Sequence, residues 1–134
     1  MKIITSLCLL LVLMGTANAD VYSDNAKAAQ VVADSFFIAI ADKDYEIYKT
    51  KVTDDLVTEY NANNANNKIK RWWDSARNNV EKFNATWEFA KVKTNTPTNI
   101  ALDYKRTMST GITTNTIYLT KKGDKWLVDG AGSI

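Results

Sequence analysis

The stretch that decides the fold runs from Asn84 to Asp129, NATWEFAKVKTNTPTNIALDYKRTMSTGITTNTIYLTKKGDKWLVD. Through it apolar side chains recur at every second position, the spacing of a strand with one buried face. Trp87 and Phe89 alternate with Thr86 and Glu88. After a turn over Thr94 to Asn99, which holds the only proline, Pro97, the alternation resumes. Ile100, Leu102, Tyr104, Arg106 and Met108 then share one face, and Ala101, Asp103, Lys105 and Thr107 the other. Ser109, Thr110 and Gly111 turn the chain into a threonine-rich third strand, Ile112 to Thr120, whose faces are less clearly sorted. Lys122-Gly123-Asp124 makes a tight hairpin into Lys125 to Asp129, where Trp126 and Val128 share a face.

Upstream of Asn84 the period is helical. Ser23 or Asp24 can cap a helix running to about Ala41, with Ala29, Val32, Ala33, Phe36 and Ile40 at three- and four-residue spacing. Val31, Phe37 and Ile38 lie on its other faces, so it is expected to be enclosed on more than one side or covered by a partner subunit. Asp42 to Asp44 break the pattern, and a short helix is expected around Tyr45 to Val52. Thr53 reads as a further N-cap, with Asp54 and Asp55 in the first turn and Leu56, Val57 and Tyr60 continuing it. Between Asn61 and Asn67 five of seven residues are Asn, which favours a loop. Ile69, Trp72, Trp73, Ala76, Val80 and Phe83 then mark the clearest helix. Helices followed by strands give an α+β domain, its helices packed on one face of a strongly bent, mostly antiparallel sheet of about four strands.

The first residues carry a different message. Lys2, the apolar run Ile3 to Met14 and the small residues Ala17-Asn18-Ala19 follow the order of a secretory signal peptide, with cleavage expected after Ala19. The run is too short for a membrane anchor, and Cys8, the only cysteine, lies inside it rather than at the cleavage point where a lipid would attach. Removing 19 of the 134 residues leaves 115, one domain from Asp20 onward, expected in the periplasm or outside the cell. That domain contains neither histidine nor cysteine. The inventory excludes Ser-His-Asp and Cys-His nucleophile systems, disulfides, and the common zinc and haem ligands. The net charge of +2, or +1 without Lys2, gives no support to nucleic-acid binding or to an anionic membrane partner.

Two segments, Phe36-Phe37-Ile38-Ala39-Ile40-Ala41-Asp42-Lys43-Asp44-Tyr45 and Gly123-Asp124-Lys125-Trp126-Leu127-Val128, resemble the end of the first helix and the last strand of the nuclear transport factor two-like fold. That cone-shaped domain is shared with ketosteroid isomerase and scytalone dehydratase, and the resemblance covers nearly all of the chain after Ala19. It implies a cavity between the first helix and the sheet. Trp87, Tyr104, Tyr118 and Trp126 would line it, with Arg106 as a cationic end on the Tyr104 face; the same aromatics read without the resemblance are simply core.

Ketosteroid isomerase uses a carboxylate base with a tyrosine or protonated carboxyl as oxyanion partner. The nearest pair here, Asp103 and Tyr104, is adjacent on a strand and points to opposite faces. No catalytic residue is assigned, and an enzyme is the least favoured reading. Asp42, Asp44 and Glu46 look like the opening of a calcium loop, but Ile47 and Thr53 stand where glycine and glutamate are required; no metal site and no cofactor is expected. Trp72 and Trp73, about 100° apart on a helix, cannot both point into one core, which makes them interface candidates. Two functions follow: a non-catalytic module binding a small apolar or amphipathic ligand, or an interaction protein, as a homodimer or as the accessory of an envelope protein.

Overall fold

The computed structural model describes residues 24–54, 68–132 and Ile134. The expected signal peptide, the Ser23 cap and the stretch from Asp55 to Asn67, with its continuing helix and Asn-rich loop, lie outside the described residues.

The alternation from Thr86 onward forms four strands: β1 (Thr86–Asn95), β2 (Asn99–Met108), β3 (Gly111–Lys122) and β4 (Lys125–Ala131). They make one antiparallel sheet in the order β1-β2-β3-β4. Each strand lies beside its sequence neighbour because every connection is short. Gly123 takes φ +61 in the two-residue link between Lys122 and Lys125, a value that a residue with a Cβ adopts only under strain. Thr96 holds the β1–β2 turn through its hydroxyl, which donates to the Asn99 carbonyl and accepts from the Asn99 N–H.

Three helices precede the sheet among the described residues. α1 spans 24–41, α2 Tyr45–Thr50 and α3 Lys68–Phe83. Just past the end of α1, Lys43 lies in the left-handed region at φ 60. The Asp44 N–H returns to the Ala39 carbonyl at 2.8 Å and the Lys43 N–H to that of Ile40 at 3.2 Å, the paired closure of a Schellman motif. Arg77 on α3 satisfies the last α1 carbonyls, donating from Nη1 to Ile40 at 2.8 Å and Ala41 at 3.2 Å. Asp44 caps α2 by accepting from the Ile47 N–H, and Glu46 in its first turn pairs with Lys49 at 3.0 Å.

The core fills the space between sheet and helices. From α1 come Ala29, Ala33, Phe36, Phe37 and Ile40; the sheet supplies Ile100, Leu102, Tyr104, Ile117, Leu119, Trp126 and Val128. Phe36 meets Tyr48 of α2 at 5.0 Å between ring centres, and Tyr48 donates to the Ile69 carbonyl of α3 at 2.9 Å, so three helices meet at one buried phenol. Burial is the main reason that the Tyr48 pKa is raised, with the charges of Tyr45 and Asp74 adding to it.

The two sheet edges are handled differently. Residues 51–53 run along β4: Val128 N–H donates to the Lys51 carbonyl at 2.7 Å, and Thr53 N–H to the Val128 carbonyl at 3.0 Å. At the other edge β1 is exposed from Ala90 onward, carries Lys91 and Lys93, and breaks register between Phe89 and Lys91 and between Val92 and Thr94. Charges and irregular pairing of this kind discourage the addition of a further strand.

Candidate functional site

Beneath the C-terminal half of α1 a cleft of about 310 Å³ opens against β1 and β2. Asp34, Phe37, Ile38 and Ala41 form its helical wall at positions i, i+3, i+4 and i+7, one face of a helix. Ala85, Thr86, Trp87 and Tyr104 form the opposite wall. Three aromatic rings set its floor. Phe37 stacks on Trp87 with ring centres 5.0 Å apart and planes 16° from parallel, and it meets Tyr104 at 4.8 Å. Contacts of this kind each add about 0.5–1.5 kcal/mol beyond burial. The Trp87 indole N–H donates to Oδ1 of buried Asn115 on β3 at 3.0 Å, which fixes the ring across β2.

One charged group faces this apolar surface. Tyr104 donates its hydroxyl proton to Asp34 Oδ1 at 2.7 Å, a length typical of a phenol on a carboxylate. Tyr104 is almost wholly buried. Burial, then the bond to Asp34, then the negative charge of that carboxylate all raise the Tyr104 pKa, so the phenol keeps its proton throughout the physiological range. Among the described residues, the second Asp34 oxygen meets only a long 3.5 Å contact from Gln30. Asp34 thus retains acceptor capacity at the cleft wall.

A second cleft of about 390 Å³ lies below the N-terminal half of α1, at the β4 side. Its described lining is Ala28, Val32, Thr50, Lys51, Asp124, Lys125, Trp126 and Leu127, so three of these eight carry charge, against one of the eight described residues in the first cleft.

The structure therefore divides the five residues expected to share one pocket. Trp87 and Tyr104 line the first cleft together. Trp126 is buried on the helix-facing side but two strands away from Tyr104, and it lines the second cleft with Lys121 6.0 Å above its ring. Arg106 is half-buried beside Trp87 in the β1–β2 register. Tyr118 lies on the outward face: its Cα partner is Ala101, and its side chain sits over Gly130, where an added Cβ would come within 3.2 Å of the ring. The register of β3 explains this, because Asn115, Ile117 and Leu119 are the positions that turn inward. Asp103 also faces outward, accepting from the Thr116 hydroxyl at 2.7 Å, and so is separated from Tyr104 as strand alternation requires.

Trp72 and Trp73 are both half-buried. Trp73 packs against Tyr45 and Tyr48, with ring centres 5.0 Å apart in each case. Sequence reasoning missed Asp34. Its signal was a single carboxylate within the helical stripe 34-37-38-41, otherwise apolar. Compared with family models and with curated proteins, the chain matches neither.

Proposed function

We propose that this protein is an exported, non-catalytic binding module that holds a small apolar or amphipathic ligand in the cleft between α1 and the β1–β2 edge. The observation that carries the reading is the fixed aromatic floor, Phe37 on Trp87 and Tyr104, beside a hydrogen-bonded polar pair, Tyr104 and Asp34. Ligand sites commonly combine a mostly apolar surface with a few placed polar groups, and a volume of about 310 Å³ stands at the small end of their range. The arrangement of helices against a four-stranded antiparallel sheet is compatible with the nuclear transport factor two-like fold, and membership of that superfamily is part of this proposal. So is export, with removal of Met1 to Ala19. No helix among the described residues is long and apolar enough to cross a membrane.

Native mass spectrometry of the protein, purified without detergent from the cells that make it, tests the reading. A retained small molecule that is lost in Trp87→Ala, with the fold shown intact by circular dichroism, supports it. Retention unchanged in that variant overturns the assignment to this cleft.

A second reading, an interaction protein acting as a homodimer or on an envelope partner, draws on the outward sheet face. Ile112 is 65% exposed and Tyr118 48% exposed there, large apolar side chains of the kind that interfaces bury. Sedimentation of the wild type beside Tyr118→Lys distinguishes this reading: a dimer converted to monomer favours it.

A further inference from the structure

The two walls of the cleft under α1 differ in what they ask of a ligand, and one feature sets the sign of its charge. Among the described residues that line the cleft, Asp34 is the only ionisable group besides the Tyr104 phenol, and none is basic. The phenol donates its proton to Asp34 and is held protonated, so it supplies no counter-charge. Asp34 is half-buried, and among the described residues its Oδ2 has only the long contact from Gln30. A carboxylate partly withdrawn from water, with lone pairs unused, favours a positive group brought beside it. The remaining surface is Phe37, Ile38, Ala41, Ala85 and Trp87, apolar or aromatic, and aromatic rings attract cations through their quadrupole.

We propose, resting on the binding reading above, that the occupant of this cleft is a small organic ammonium: a cationic nitrogen set against Asp34, with an apolar body over Phe37 and Trp87. An anionic amphiphile such as a fatty acid is disfavoured, because its carboxylate would meet Asp34 with no basic side chain among the described lining residues to neutralise either. In the second cleft two lysines, Lys51 and Lys125, accompany the one carboxylate, Asp124, so the preference is assigned to the first cleft.

Three probes of nearly equal shape test this by isothermal titration calorimetry on the purified protein: hexylammonium, hexanol and hexanoate. Hexylammonium is expected to bind about tenfold or more tightly than hexanol, the ratio expected from one charge-assisted hydrogen bond, with hexanoate weakest. Asp34→Asn, which keeps an acceptor for Tyr104, should bring hexylammonium to within about threefold of hexanol. Lys125→Ala, in the second cleft, should retain the preference, and circular dichroism of each variant guards against reading a folding defect as a binding effect. Equal binding of hexylammonium and hexanol, or an unchanged preference in Asp34→Asn, overturns the ammonium assignment while the binding module stands. Failure of all three probes to bind overturns both.

Discussion

The two clefts under α1 share a helix and a sheet, yet they are built from different materials. The one at the β1–β2 side has a floor of stacked rings and a buried phenol bonded to a carboxylate. The one at the β4 side is larger, but charged side chains and the hairpin residues Asp124 and Lys125 make much of its wall. Solvent screens exposed charges and leaves them worth little, whereas a partly buried bond between tyrosine and carboxylate costs more to break. Volume is thus a poor guide to which cleft is a site. What separates them is how firmly the polar group is held and how much water can reach it.

The largest effect expected from breaking this contrast is at Phe37, whose ring touches both Trp87 and Tyr104. Phe37→Ala should cost about 3–4 kcal/mol in urea unfolding, through lost burial and a cavity at the floor of the first cleft. Tyr104→Phe keeps the ring and removes the bond to Asp34, for an expected loss of about 1–2 kcal/mol at neutral pH. At the end of α1 that walls the first cleft, Lys43 holds a left-handed conformation at φ 60. Lys43→Gly should therefore stabilise the protein by about 0.5–1 kcal/mol, the relieved strain exceeding the entropy given to the unfolded chain. In the second cleft Lys125→Ala should change stability by no more than about 0.5 kcal/mol. A larger loss there than at Tyr104 would erase the distinction between the clefts.

Alkaline pH sharpens the same point. Tyr104 and Tyr48 both have pKa values raised by burial, while an unfolded tyrosine ionises near about 10. The folded state keeps these protons longer than the unfolded state does, so their contribution is fully present below about pH 10 and is lost as pH rises beyond it. Stability followed by urea titration should fall on that limb, and the double variant Tyr48→Phe with Tyr104→Phe should show a shallower fall.

Much of this architecture was legible because alternation and turn chemistry are local. The turns at Pro97 and at Gly123-Asp124 limit the connections, and short connections leave each strand beside its neighbour. The α+β arrangement and the four antiparallel strands follow. The site was less legible for two reasons. Alternation tells which face a side chain takes but not how far apart two strands lie, so Trp126 and Tyr104 shared a face without sharing a cleft. In β3, threonines at 113, 114, 116 and 120 occupy both faces and hide the register, which is how Tyr118 was placed inward. The bond between Asp34 and Tyr104 joins residues 70 positions apart, and no local pattern links them.

The contrast between the clefts is tested most directly by following the indole N–H signals of Trp87 and Trp126 in the ¹H–¹⁵N spectrum during addition of hexylammonium, each assigned by its loss in Trp87→Phe and Trp126→Phe. The Trp87 signal is expected to move and saturate while that of Trp126 stays in place. Movement of Trp126 with Trp87 unchanged, or of neither, contradicts that contrast.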